Sequence, residues 1–132
     1  MMRKILLALP LVLAACVPDA ETGAEATAPI PGDYQLIAIE GLQVAGTPSL
    51  RIDTEGMVSG QGPCNRFSGK NAATLPALDL GALVTTRMAC LQEGGEDAFF
   101  KALGAVREAK RTGDELVMTG PDVTIRWKAV TP

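Results

Sequence analysis

Val123-Thr124-Ile125-Arg126-Trp127-Lys128-Ala129 is the stretch on which the fold turns. Successive side chains of an extended chain point to opposite faces, so Val123, Ile125, Trp127 and Ala129 share one side while Thr124, Arg126 and Lys128 share the other. One face in a core and one in water is the habit of antiparallel sheets. Working back toward the N-terminus, Gly120-Pro121-Asp122 supplies a turn, Glu115 to Thr119 a second strand and Thr112-Gly113-Asp114 another turn.

Further back the period changes. From Glu96 to about Val106, Phe99, Ala102, Leu103 and Val106 recur at helical spacing and form one apolar stripe, which Phe100 widens. Gly94-Gly95 breaks whatever precedes, and Glu96 and Asp97 favour the positive end of the helix dipole. Tyr34 to Ile39, bounded by glycines, fits a strand; Leu50 and Ile52 alternate with Arg51 and Asp53 and turn through Thr54-Glu55-Gly56 into Met57 to Gly60. Leu78 to Thr86 reads as another strand, weakened by Gly81. Several short strands with one helix inserted before the last pair describe an α+β domain, a mainly antiparallel sheet curled around that helix. No internal repeat is visible, and 132 residues suit a single domain.

The segment before this domain reads as an address. Arg3 and Lys4 precede an apolar run from Ile5 to Ala15 that is too short to span a bilayer. Leu13-Ala14-Ala15-Cys16 resembles a bacterial lipobox. The expectation is a signal peptide over 1–15, cleavage before Cys16, and acylation of Cys16 as the membrane anchor, several acyl chains holding where one would not; the alternative is an ordinary cleaved signal with a free cysteine. Val17 after the cysteine points to the outer membrane, with the domain facing the periplasm. Val17 to Gly32 is rich in Ala, Pro, Thr, Gly and acid and reads as a tether reaching about 50 Å when stretched at roughly 3.3 Å per residue. The folded domain is then expected over 33–130.

Composition removes several functions. The sequence has 12 basic and 15 acidic residues; without Arg3 and Lys4 the balance is 10 against 15, a net charge of −5, which gives no electrostatic reason to bind nucleic acid. There is no His, so the Ser-His-Asp and Cys-His arrangements are unavailable and the commonest metal ligand is missing.

Gly60-Gln61-Gly62-Pro63-Cys64-Asn65-Arg66-Phe67-Ser68-Gly69, followed by Thr85-Thr86-Arg87-Met88-Ala89-Cys90, resembles the META domain of HslJ-type heat-shock lipoproteins. The resemblance covers Asp33 to Lys128. It departs from the pattern at Pro63, where Gly is usual, at Tyr34, where Trp is frequent, and at Gly94-Gly95. What it implies is an envelope protein tied to stress or resistance phenotypes.

With Cys16 given to lipid, Cys64 and Cys90 remain, and an exported chain in an oxidising compartment most often pairs them. Free thiols or a redox pair are the alternatives, although the spacing is unlike Cys-x-x-Cys. Such a bridge would bring together the two loops that carry Asn65, Arg66 and Arg87, and two guanidiniums at one surface suit a carboxylate or phosphate. The preferred reading is the plainer one, in which Asn65 closes a turn through its side chain and the arginines pair with domain acids or backbone carbonyls. Met57, Met88 and Met118 read as core fillers rather than metal ligands, and Asp53, Glu55, Asp79 and Asp114 as turn acids.

A non-enzymatic monomer without cofactor or metal is therefore expected, an interaction or chaperone-like module engaging an envelope protein. The runner-up is a binder of a hydrophobic ligand or acyl chain, similar to secretin pilot lipoproteins, because a curled sheet closed by one helix can leave an apolar cleft.

Overall fold

Two strands from opposite ends of the chain lie side by side at the centre of one sheet. They are β1 (Gly32–Ile39) and β8 (Val123–Ala129), antiparallel, with Tyr34 opposite Ala129 and Ile39 opposite Ile125. A computed structural model describes residues 28–91 and 94–130, together with the isolated Pro10. On one flank follow β2 (Ser49–Ile52), β3 (Met57–Gln61), β4 (Arg66–Lys70) and the two-residue β5 (Val84–Thr85); on the other, β7 (Glu115–Gly120) and β6 (Glu108–Thr112). The order β5-β4-β3-β2-β1-β8-β7-β6 is antiparallel throughout and open, as the sequence predicts for an α+β domain.

The expected alternation of β8 is observed. Ile125 and Trp127 are fully buried while Arg126 and Lys128 are exposed, Arg126 pairing with Glu115 at 2.9 Å. Trp127 meets Phe99 edge-on at 6.3 Å, and Phe99 in turn meets Phe67 at 6.0 Å, so the helix is pressed into the sheet by aromatic contacts. A buried Trp removes roughly 200 Å² from water, worth about 5 kcal/mol. Its Nε1–H finds no acceptor among the described residues, a penalty of about 1–3 kcal/mol, so burial wins.

The helix α1 runs over Glu96–Ala105 and buries Phe99 and Leu103. Gly95 precedes it at φ +77°, a conformation that suits glycine, and a Cβ there would lie 2.7 Å from the Gln43 carbonyl oxygen. At the other end Val106 turns extended and buries its side chain, while the Arg107 guanidinium donates to the Gly104 and Val106 carbonyls at 3.0 and 2.9 Å.

Three readings of the sequence are corrected here. The strand expected from Leu78 to Thr86 shrinks to β5, because Leu78 and Leu80 are buried from a loop. Asn71, only 4% exposed, holds that loop: its side-chain oxygen accepts from Asp79 N at 2.8 Å and its nitrogen donates to Ala77 O at 2.9 Å. Secondly, Arg66 does not sit in a loop but opens β4. Thirdly, β6 follows the helix where no strand was foreseen. The loop also meets β6, with Leu78 N donating to Arg107 O and Ala109 N to Pro76 O, both at 2.8 Å. It thereby laces the two ends of the open sheet and covers part of an edge that would otherwise be a pairing hazard.

Of the residues read as tether, the last few are docked. The buried Tyr34 hydroxyl donates to Ile30 O, and Arg111, 5.5 Å over the Tyr34 ring, donates to Pro29 O at 2.7 Å. Burial pushes the Tyr34 hydroxyl above its usual pKa despite the opposing Arg111 charge. Apart from Pro10, the expected signal peptide, Cys16 and the tether up to residue 27 lie outside the described residues.

Candidate functional site

Three segments distant in sequence converge beside the N-terminus of α1. After β3 the chain turns tightly, Gly62 N donating to Asn65 O at 2.8 Å, and the turn presents Cys64 and Asn65 toward the helix. Cys64 is disulfide-bonded to Cys90, with Cα atoms 6.0 Å apart, a separation well suited to a bridge.

Asn65 is only 7% exposed and uses both ends of its amide. The nitrogen donates to Glu96 Oε2 at 2.8 Å; the oxygen accepts from Thr86 Oγ1 at 2.9 Å and from Met88 N at 2.7 Å. Glu96 Oε1 accepts from Cys64 N at 3.1 Å and from Asn65 N. Thr86 Oγ1 accepts from Arg66 N at 3.0 Å, and Thr86 N returns a bond to Arg66 O at 3.0 Å. The result is a satisfied polar clamp whose members lie on the β3–β4 turn, the segment after β5, and α1.

Glu96 is the clamp's one ionisable member. Burial raises its pKa, but the backbone and side-chain N–H groups of Asn65 and the backbone of Cys64 outweigh that, so the net shift is below the usual carboxylate value.

Residues 28–130 match the family model of the META domain. This chain belongs to the META domain family. An NMR structure of a protein from Burkholderia xenovorans is similar, with 22% identity and a TM-score of 0.61 over 84% of this chain and 97% of that one. A second NMR structure is 23% identical with a TM-score of 0.59, over 74% of this chain and 88% of that chain. At these identities the likeness is one of fold. No curated protein matches the chain.

Within this META domain the residues singled out in the sequence separate. Cys64 and Cys90 meet. Asn65 is an interior clamp rather than part of an exposed binding surface. Arg66 and Arg87 remain exposed on neighbouring segments, and neither forms an ion pair among the described residues. Of the methionines read as core fillers, Met118 is fully buried, whereas Met57 and Met88 are 41% and 58% exposed. Asp53 closes its turn by accepting from Glu55 N and Met57 N at 2.9 and 2.8 Å, as expected of a turn acid. Asp79 accepts more weakly from Gly81 N at 3.4 Å.

Sequence reasoning placed Glu96 only in the first turn of the helix and overlooked its part in the clamp. Nothing in the sequence signals a contact between two residues 31 positions apart. Thr86 belongs to the Thr85-to-Cys90 motif, which carries no sign of its side chain's role.

The grooves of the META domain are open. One of about 580 Å³ runs over the outer face of β3 to β5, with Ser59, Gln61, Arg66, Ser68, Val84 and Thr86 along it. Another of about 440 Å³ lies between α1 and the ends of β1 and β8, lined by Ile39, Leu42, Ala98, Ala102, Ala105 and Val123 with Lys101 and Asp122 at hand. Val84, Met88 and Leu91 expose their side chains in the segment that the disulfide and Asn65 pin down. Among the described residues no helix is long and apolar enough to cross a membrane.

Proposed function

We propose that this META domain is the working part of an HslJ-like, lipid-anchored envelope protein, held at the outer membrane through acylated Cys16, facing the periplasm, and acting without catalysis. It engages another envelope protein with the surface formed by Arg66, Arg87 and the exposed apolar residues Val84, Met88 and Leu91, in the service of a stress or resistance response. One observation carries this reading. Val84, Met88 and Leu91 are 68%, 58% and fully exposed, yet they sit on a segment fixed by a disulfide and by two hydrogen bonds that Thr86 Oγ1 and Met88 N donate to Asn65. Rigid presentation of apolar and cationic side chains lowers the ordering cost of association, and an apolar patch left in water on a fixed frame is the usual mark of an interaction site.

A photo-crosslinking amino acid in place of Arg66, in living cells, tests this. The expected product is one discrete envelope protein, and Arg87→Ala should reduce its yield while shifting stability by no more than about 0.5 kcal/mol. Recovery of a lipid and no protein would overturn the reading in favour of the second one, a hydrophobic-ligand binder. That alternative is favoured by the apolar groove beside α1. The mass of the mature N-terminus tests the anchor, and an unmodified Cys16 defeats it.

A further inference from the structure

The clamp contains more donor atoms than a structural bridge needs. Cys64 Sγ, Cys90 Sγ and a Glu96 carboxylate oxygen all lie within 4.8 Å of one another. We propose that reduction of the Cys64–Cys90 disulfide turns this corner of the domain into a Zn²⁺ site formed by the two thiolates and Glu96, with the fourth position open to water.

The geometry is close to what the metal requires. Zn–S bonds of about 2.3 Å and Zn–O bonds of about 2.0 Å place tetrahedral ligands about 3.8 Å apart for two sulfurs and about 3.5 Å apart for sulfur and oxygen. Glu96 Oε2 already stands 3.8 Å from Cys90 Sγ. The sulfurs must separate, a movement that rotation about the two Cα–Cβ bonds can supply with the Cα atoms left near 6.0 Å. Glu96 Oε2 accepts one hydrogen bond, from Asn65, and keeps a lone pair for the metal. Asn65 thus becomes the outer partner that orients a ligand. A cleft of about 290 Å³ bounded by Cys90, Glu96 and Asp97 reaches the site from solvent and supplies the entry path. Two sulfurs select Zn²⁺ over Mg²⁺ or Ca²⁺.

The chemistry balances with a dithiol as reductant. The dithiol gives two hydrogens and two electrons, the S–S bond breaks to two thiols, and the dithiol closes to its own disulfide; Zn²⁺ then replaces the two thiol protons, which go to solvent. The segment between β5 and Cys90 is consequently tied to the β3–β4 turn in both states, by S–S when oxidised and by S–Zn–S when reduced.

The test uses the full chain in detergent, with Cys16→Ser so that Cys64 and Cys90 are the only cysteines. After reduction and removal of the reductant, one equivalent of Zn²⁺ should stay bound against a chromophoric chelator, and the oxidised protein should retain none. Co²⁺ in its place should show thiolate charge-transfer absorption and tetrahedral d–d bands. Glu96→Gln should weaken Zn²⁺ affinity about 10-fold or more, with tryptophan fluorescence confirming that Trp127 stays buried. Equal Zn²⁺ retention by reduced and oxidised protein, or octahedral Co²⁺ without charge transfer in the unaltered site, would overturn the proposal. So would an affinity untouched by Glu96→Gln.

Discussion

The centre of the sheet and the clamp at its margin are held by different physics. Around β1 and β8 the chain buries Tyr34, Ile125, Trp127, Phe99 and Leu103, each at most 1% exposed, and the stabilisation is non-directional and proportional to area. Around Asn65 the groups are polar, each needs a particular partner, and a covalent bond supplements the hydrogen bonds. The first region tolerates small displacements and dislikes voids; the second tolerates exposure and dislikes a lost partner. The exposed segment of Arg87 and Met88 beside the second region, proposed above as an interaction surface, is thus fixed without help from core packing.

The sharpest way to break this contrast is at the centre. Trp127→Ala should cost about 3–5 kcal/mol, read from the urea midpoint, because the aromatic contact to Phe99 collapses with the strand. Next is the bridge. Replacing Cys64 and Cys90 together by Ala should cost about 3.5 kcal/mol on the chain-entropy account, the cysteines being 26 residues apart. Far-UV circular dichroism should be unchanged, since the sheet does not depend on it.

Asn65→Ala should cost about 1–3 kcal/mol, since it removes three hydrogen bonds to Thr86, Met88 and Glu96, the last of them charge-assisted. A double-mutant cycle with the cysteine pair would show non-additivity if both hold the same segment. Strict additivity would mean that the clamp and the bridge act separately.

The smallest effect is that of pH. Glu96 is favoured as the carboxylate in the folded state, so its contribution is complete above the ordinary glutamate pKa of 4.5 and is lost as pH falls through the lower folded value. Urea midpoints below pH 4.5 should converge for the wild type and Glu96→Gln, and should separate above it. A constant difference across pH would remove Glu96 from the clamp.

Much of the centre was legible and much of the margin was not. β8 shows itself because Ile125 and Trp127 alternate with Arg126 and Lys128, and the hairpin of β2 and β3 because Leu50 and Ile52 alternate around a turn. β6 escaped notice since Ala109 is its one buried residue among Glu108, Lys110 and Arg111, a charged composition typical of edge strands. β4 escaped because Phe67 alone carries its apolar signal; Gly69 faces Leu83, and Gly60 on β3 leaves space for the Phe67 ring and the Ser49 backbone. The reverse error at Leu78 to Thr86 came from Leu78 and Leu80, whose alternation imitates a strand while Asn71 holds them in a loop.

Local periodicity in the sequence was thus enough to determine the antiparallel α+β class and the helix α1 with its apolar stripe, while the expectation of an exported chain pointed to the pairing of Cys64 and Cys90 near two arginines. Only the tertiary structure decided that Asn65 is buried, that Glu96 faces it, and that Arg66 and Arg87 keep their cations free of acids among the described residues. The reason is physical. Burial of a face repeats every two or 3.6 residues and leaves a pattern in the chain, whereas a hydrogen bond between side chains 31 residues apart leaves none until the sheet and helix have brought them together.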